Sequence, residues 1–202
     1  MKQDKKETEE LELDPMYTPE TRAQSFRLAV YSWLQPLLFA LVFLILLSTF
    51  AGRIIGVDGS SMFPTLHDHD MLVLQSLAYK PAQGDIVVLT QRSFSDKPIV
   101  KRVIATGGQT VDVNYDDNTV TVTDPDGTRT VLDEPYLGEP MHRPGSPTND
   151  HIEVPEGSIC VFGDNRNNST DSRSPSVGTA DERCVLGRAV LRILPLHRFG
   201  VL

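Results

Sequence analysis

Three short stretches hold the side chains that could do chemistry. The first is Asp58-Gly59-Ser60-Ser61-Met62-Phe63-Pro64-Thr65-Leu66, which sets two adjacent hydroxyls on a turn marked by glycine and proline. Either this is an ordinary turn or one serine is a nucleophile, and a nucleophilic serine needs a base. A histidine held by an acid is the familiar partner. His67-Asp68-His69-Asp70 follows closely. At strand spacing both imidazoles share a face, as a metal site would require, but no further ligand cluster accompanies them. Acids on either side suit a solvated turn, so no metal is expected. His142, His151 and His197 lie in polar or terminal stretches with no local sign of a base.

Lys101 is the second feature. It lies in Ile99-Val100-Lys101-Arg102-Val103-Ile104-Ala105, a strand-like run in which alternation groups it with Ile99 and Val103 and sends Arg102 to the other face. A lysine forced among apolar groups loses proton affinity, because desolvation disfavours the ammonium. Its neutral amine can then take a serine proton. The plainer reading is a strand residue whose ammonium reaches out to water. The third feature is Gly163-Asp164-Asn165-Arg166-Asn167-Asn168-Ser169-Thr170-Asp171-Ser172-Arg173. It is either a polar surface loop or a loop whose many side-chain ties fix a functional shape.

The elements that must position these residues divide the chain of 202 residues into one principal domain and an appendage. Leu28 to Phe50 reads LAVYSWLQPLLFALVFLILLSTF, without a formal charge. At about 1.5 Å per residue such a helix crosses a hydrocarbon core of roughly 30 Å. A signal peptide would have a shorter apolar region, and a core helix would keep a polar face. The reading is therefore a single transmembrane anchor over 28–52, preceded by a polar, disordered tail over 1–27 and followed by a domain over 53–202. Arg22 and Arg27 precede the span and Arg53 alone follows it closely, which favours a cytoplasmic N-terminus and an extracytoplasmic domain.

The net charge of −8 includes the acidic tail, and no basic stripe suggests nucleic acid. Cys160 and Cys184 lie in short apolar runs and read as free thiols. After the anchor, strands are expected at Met71–Leu74, Ile86–Leu89, Ile99–Ala105, Ser158–Phe162 and Val185–Leu194, with an alternating hairpin through Val111, Val113, Tyr115, Val120 and Val122. Loops are expected over Met141–Asp150 and Arg173–Asp181. The pattern predicts an all-β, antiparallel domain of sandwich or barrel type.

Together the stretches GSSMFPTL (59–66), QGDIVVL (83–89), IVKRVIATGG (99–108) and GDNRNNSTDSR (163–173), in this order behind an N-terminal anchor, resemble the bacterial type I signal peptidases. These are membrane-anchored Ser–Lys proteases that remove secretory signal peptides. The resemblance implies that Ser61, directly before Met62, is the nucleophile and Lys101 the general base, with Ser169 orienting the lysine. It implies structural roles for Asp164, Arg102, Asp171 and Arg173, with Asp164 meeting Arg102. Asn167 stands where the family commonly has an aspartate, which puts that tie in doubt. Some members carry a serine hydroxyl two residues before the nucleophile; this chain has Gly59, as Gram-positive-type members do. The Ser61 backbone N–H is then the principal oxyanion donor.

The resemblance also implies shallow alanine pockets from Val57, Met62, Leu66, Ile99 and Val100, with Met62 facing substrate or lipid. No cofactor is implied. The partners implied are secretory preproteins, the lipid bilayer and a site near the secretion translocon. A self-cleaving repressor-type peptidase shares the chemistry, but the anchor counts against it. A non-catalytic membrane-tethered β-domain is disfavoured because both Ser61 and Lys101 are present.

Overall fold

The computed structural model describes residues 19–50, 53–90 and 97–202, and within its one long helix the side chains of residues 26–44. The helix, α1, runs Pro19–Phe50. Proline suits a first helical turn, where its missing N–H has no partner to lose. Residues 19–27, expected in the polar tail, are therefore helical; residues 1–18 and 51–52 lie outside the described residues. Among the described residues, α1 alone is long and apolar enough to cross a membrane, over Phe26–Leu44. Trp33, Leu37, Phe39 and Phe43 all stand exposed, so the helix is apolar around its circumference and not along one stripe.

A second unit, residues 50–202, contains all the strands. They are β1 (Arg53–Gly56), β2 (Met71–Gln75), β3 (Ile86–Leu89), β4 (Ile99–Thr106), β5 (Thr110–Asn114), β6 (Thr119–Thr123), β7 (Arg129–Val131), β8 (His151–Glu153), β9 (Ser158–Phe162), β10 (Ala180–Asp181), β11 (Val185–Leu194) and β12 (Gly200–Val201). One sheet has the order β1-β2-β11-β3-β4-β9-β10, with β12 on β11; the other is β7-β6-β5-β8. Every pairing is antiparallel.

Strand β4 links the two sheets. Its first half pairs with β3, placing Lys101 opposite Val87, and its second half pairs with β9, starting with Arg102 opposite Phe162. A register shift between Val103 and Ala105 then marks a bulge. A bulge bends its strand and re-aims the side chains that follow. Val103 accordingly packs with Val87, Leu89, Ile159 and Val161, whereas Ile104 and Ala105 join the core under the β5–β6 hairpin with Val111, Val120 and Phe162. A third apolar cluster gathers Val57, Met62, Leu66, Leu72, Leu74, Val88 and Val100 beneath the serine turn.

The principal strands lie where the apolar runs and the alternating hairpin put them. Tyr115 is the exception: β5 stops at Asn114, whose side-chain oxygen accepts from the N–H groups of Asp116 and Asp117 and so starts the turn early. The short strands β1, β7, β8, β10 and β12 were not expected. Two to four residues carry no readable period, and neighbouring strands recruit them through main-chain bonds alone. His67 and His69 do not share a strand face: His69 has a left-handed backbone (φ 66°), and the His67 ring stands edge-on to Phe63 at 5.1 Å. Both cysteines are unpaired; Cys160 is buried, which pushes its thiol pKa up, and Cys184 is half-buried.

A buried acid fastens the serine turn to the end of the chain. Asp70 is fully buried and receives the His67 N–H at 3.0 Å, Arg192 Nη1 at 3.3 Å and Arg198 Nη2 at 2.9 Å. Arg192 also donates to the Thr65 carbonyl at 3.0 Å. Removing the carboxylate leaves two guanidinium groups facing an apolar gap. Asp70→Ala is expected to lose about 3–5 kcal/mol of stability, read as a lowered urea midpoint with an unchanged slope.

Candidate active site

The serine turn is built from its glycine outward. Gly59 has φ +97°, a region that side-chain-bearing residues rarely enter, and its N–H donates to Asp68 Oδ1 at 2.9 Å. The backbone, then, calls for glycine here, and the missing side-chain donor follows from that requirement. The turn closes through Phe63 N–H to the Ser60 carbonyl at 3.1 Å and Leu66 N–H to the Met62 carbonyl at 2.9 Å. Met62 and Leu66 are wholly buried and hold the turn in the core, so Met62 faces neither substrate nor lipid. Ser61 is left half-buried. Among the described residues neither its N–H nor its hydroxyl has a hydrogen-bond partner.

Lys101 is 4% exposed, deep in β4. Burial pushes its amine down from the ordinary lysine range to about 8. The charge of Asp171 and, less strongly, that of Asp164 opposes this shift, while Arg173 adds to it. The amine forms no hydrogen bond among the described residues. On the β9 side, pairing ends at Arg102 and Phe162, so Ile99, Val100 and Lys101 have no strand beside them there. The chain leaves β9 at Gly163, one residue past that pair and therefore next to Lys101.

Gly163 begins the polar loop and is its closest crossing. A Cβ added at Gly163 would overlap both the Ser169 hydroxyl and the Ser61 carbonyl oxygen. The serine turn, the loop serine and the lysine strand thus meet around one residue without a side chain. Both backbone groups of Gly163 are used: its N–H donates to Asp171 Oδ2 at 3.0 Å, and its carbonyl accepts from Arg166 Nε at 3.2 Å.

Ion pairs brace this crossing. Arg102 donates twice to Asp164, at 2.8 and 2.7 Å, and Thr65 Oγ1 donates to the same carboxylate at 2.5 Å. Arg173 donates twice to buried Asp171, at 2.8 Å each. Although burial opposes it, Arg173 holds the Asp171 carboxyl below the usual range, helped by the Gly163 amide and the nearby Ser169 hydroxyl. That hydroxyl is itself buried, but no partner meets hydrogen-bond geometry; its influence on Asp171 is one of proximity, and it remains free to bond.

Of the residues read from the sequence, Ser61, Ser169, Asp164, Asp171, Arg173 and Arg102 gather around Gly163 and Lys101. Val57, Met62, Leu66 and Val100 share one apolar cluster. Ile99 does not join them; it packs on the other side of β4 with Val87 and Val103. Asn167 makes ties of its own, accepting from His142 N–H at 2.8 Å and donating to Glu139 at 2.8 Å and the Pro140 carbonyl at 2.9 Å. An aspartate could not make the two donations.

Sequence reasoning missed four contributors. Glu134 takes both terminal nitrogens of buried Arg166 and the Tyr136 hydroxyl, and the Tyr136 ring lies 3.9 Å beneath the Arg102 guanidinium. Asn165 and Asn168 reach back to Ser60. The density of asparagines in the loop was the one available signal for the last two.

Residues 30–194 match the family model "Signal peptidase, peptidase S26". The chain is similar to a probable signal peptidase I-1 of Synechocystis, 36% identical over 176 residues, covering 82% of this chain and 83% of that protein. It is also similar to signal peptidase I S of Bacillus subtilis, 31% identical over 179 residues, covering 84% and 91%. The crystal structure of a signal peptidase I from Enterococcus faecalis aligns at 26% identity and TM-score 0.44, over 55% of this chain and 98% of that one.

The tight crossing predicts a contrast between two glycines. Gly163→Ala is expected to cost roughly 1–3 kcal/mol, because two fixed neighbours occupy the space of its methyl group. Gly145→Ala meets nothing within 4 Å and should stay within about 0.5 kcal/mol of wild type. Denaturant titration of the two variants checks the difference.

Proposed function

The chain belongs to the signal peptidase family, peptidase S26, whose substrates are preproteins carrying signal peptides, and on that premise we propose that it cleaves them by acyl transfer with Ser61 as nucleophile and Lys101 as base. The observation that carries the reading is the crossing at Gly163, which has the Ser61 carbonyl and the Ser169 hydroxyl against one Cα where the chain leaves β9 alongside buried Lys101 of β4. Neutral Lys101 takes the proton from Ser61 Oγ as that oxygen attacks the scissile carbonyl. The resulting oxyanion is received by the Ser61 N–H, which has no competing partner. The C–N bond breaks as the ammonium of Lys101 returns the proton to the leaving amine. A water, deprotonated by the same amine, then opens the acyl ester and restores Ser61. Ser169, buried and free to bond, orients the amine between these steps.

Cleavage after small residues in an Ala-x-Ala pattern fits shallow pockets at Val57 and Val100, which keep a little exposure above the wholly buried Met62 and Leu66. The unpaired side of Ile99–Lys101 offers main-chain groups to an extended substrate, so that strand addition aligns the scissile bond. The family is membrane-anchored, and α1 supplies a helix long enough to span. In this reading the N-terminus is cytoplasmic and residues 53–202 work on the extracytoplasmic side near the secretion translocon, where a substrate still embedded by its signal peptide is presented.

The test is preprotein cleavage by the full chain in detergent. Ser61→Ala is expected to abolish detectable turnover, and Lys101→Ala to lower it by about 10²–10⁴-fold. If Lys101→Ala turns over at near wild-type rate, the base has been misassigned.

The pH profile follows from the depressed amine. Below its inflexion Lys101 is an ammonium and cannot accept a proton; above it the neutral base predominates. The ratio kcat/KM should therefore rise tenfold per pH unit on the acid side and level off past an inflexion near pH 8. An inflexion near 6.5 that His67→Ala removes would sink the Ser–Lys reading.

A further inference from the structure

We propose that Asn165 is a positioning residue for the oxyanion hole, acting through the peptide plane that joins Ser60 to Ser61. The inference rests on the Ser–Lys reading and extends it to a residue with no direct contact to the reacting atoms. In this chain the principal oxyanion donor is the Ser61 N–H, and a backbone donor is aimed only by the plane that contains it. In a trans peptide the carbonyl of one residue and the N–H of the next lie in one plane and point in opposite directions. Whatever fixes the Ser60 carbonyl therefore fixes the Ser61 N–H.

Two donors hold that carbonyl. One is Phe63 N–H at 3.1 Å, from within the turn. The other is Asn165 Nδ2 at 3.1 Å, from the loop that crosses at Gly163. The Asn165 backbone also donates its own N–H to the Ser61 carbonyl at 3.0 Å. Consecutive carbonyls of the serine pair are thus held by one residue, the first by its side chain and the second by its main chain. The loop's other asparagine, Asn168, donates from Nδ2 to the Ser60 hydroxyl at 3.0 Å, so it steadies the side chain and not the plane. Opposite these ties the Ser61 N–H has no partner among the described residues.

This matters more here than where a side chain also donates. Gly59 supplies no hydroxyl, and its φ of +97° disfavours any residue that could. With one principal donor, orientation must do what a second donor does elsewhere. A hydrogen bond weakens steeply as its angle falls from linear, so a rocking peptide plane wastes the donor. It would do so only when charge develops on the substrate oxygen, which is a transition-state effect.

The experiment is steady-state cleavage of a preprotein by the full chain in detergent, for Asn165→Ala, Asn165→Asp and Asn168→Ala. Asn165→Ala should lower kcat by about 10- to 100-fold, less than or equal to the loss of a whole oxyanion donor. KM should stay within about twofold, since ground-state binding does not use the oxyanion contact. The pH inflexion should remain near 8, because Lys101 is untouched. Asn165→Asp keeps the shape but turns a donor into an acceptor facing the Ser60 carbonyl, and should fall at least as far as Asn165→Ala. Asn168→Ala should lose much less.

The proposal is overturned if Asn165→Ala keeps kcat, if its loss appears in KM, or if the inflexion moves, which would assign Asn165 to the base. A fall in kcat matched by an equal fall in the folded fraction, followed by the far-ultraviolet circular dichroism of the β-rich unit, also overturns it in favour of a purely structural tie. Ser61→Ala separates the two levels of inference. An inert Ser61→Ala beside an unimpaired Asn165→Ala defeats this proposal alone, whereas an active Ser61→Ala defeats the Ser–Lys reading beneath it.

Discussion

An amine can serve as a base near neutral pH only while water is kept from its charged form, and in the proposed mechanism the architecture around Lys101 meets that requirement. A surface lysine would hold its proton; β4, with Val87 of β3 opposite on one side and the chain leaving β9 at Gly163 on the other, buries this one to 4% exposure. Burial alone would be undone by free acids nearby, because an adjacent negative charge favours the ammonium. Asp164 and Asp171 both stand close enough to act on Lys101. Each is committed to its own guanidinium, Asp164 to Arg102 and Asp171 to Arg173, through two hydrogen bonds apiece. The loop thus brings carboxylates to the site without adding much net charge there, and Arg173 pushes the amine in the same direction as burial does.

Such buried pairs are a poor means of stabilising a fold, since desolvation consumes most of their attraction. Their use here is directional. Asp171 accepts the Gly163 N–H while Arg166 donates to the Gly163 carbonyl, so both edges of the crossing residue are held at defined angles. Arg166 is in turn held by Glu134, and Glu134 by Tyr136, whose ring carries Arg102. The chain of contacts returns to Asp164 and, through Thr65, to the serine turn. Apolar side chains of equal volume could fill that space, but they could not fix a peptide plane.

The parts of this arrangement that were legible in the sequence are those with a period or a recognisable spacing. Apolar runs bounded by turn residues placed β2, β3, β4, β9 and β11, whereas the run around Lys101 left open whether its ammonium reached water, and it is the structure that shows the residue buried. The apolar run predicted α1, although its helical start at Pro19 lay within a segment that reads as polar tail. Strands of two or three residues such as β10 and β12 exist only because a neighbour pairs with them. Glu134 and Tyr136 sit in a stretch with no pattern, and their partners are about thirty residues away along the chain. Ile99 was grouped with Val100 by the family resemblance, yet adjacent strand residues face opposite ways, and alternation itself argued for the separation that the structure shows.

The paired serines gain distinct parts from the same reasoning. In the proposed mechanism Ser61 supplies both the attacking oxygen and, through its own N–H, the principal donor to the oxyanion that the attack creates. Those two groups are separated by the Cα of one residue, so they cannot be aimed independently; turning the backbone to improve one displaces the other. The plane must therefore be set from outside Ser61. Gly59 sets it from upstream with a left-handed backbone, and the Ser60 carbonyl, held by Phe63 and Asn165, sets it from the adjoining peptide. The Ser60 carbonyl is then the handle by which the loop grips the proposed nucleophile, while Asn168 holds only the Ser60 hydroxyl. A serine in place of Gly59 would add a donor but strain the backbone that aims the existing one. Where donor count and donor orientation compete in this way, the structure has the features of a site arranged for orientation.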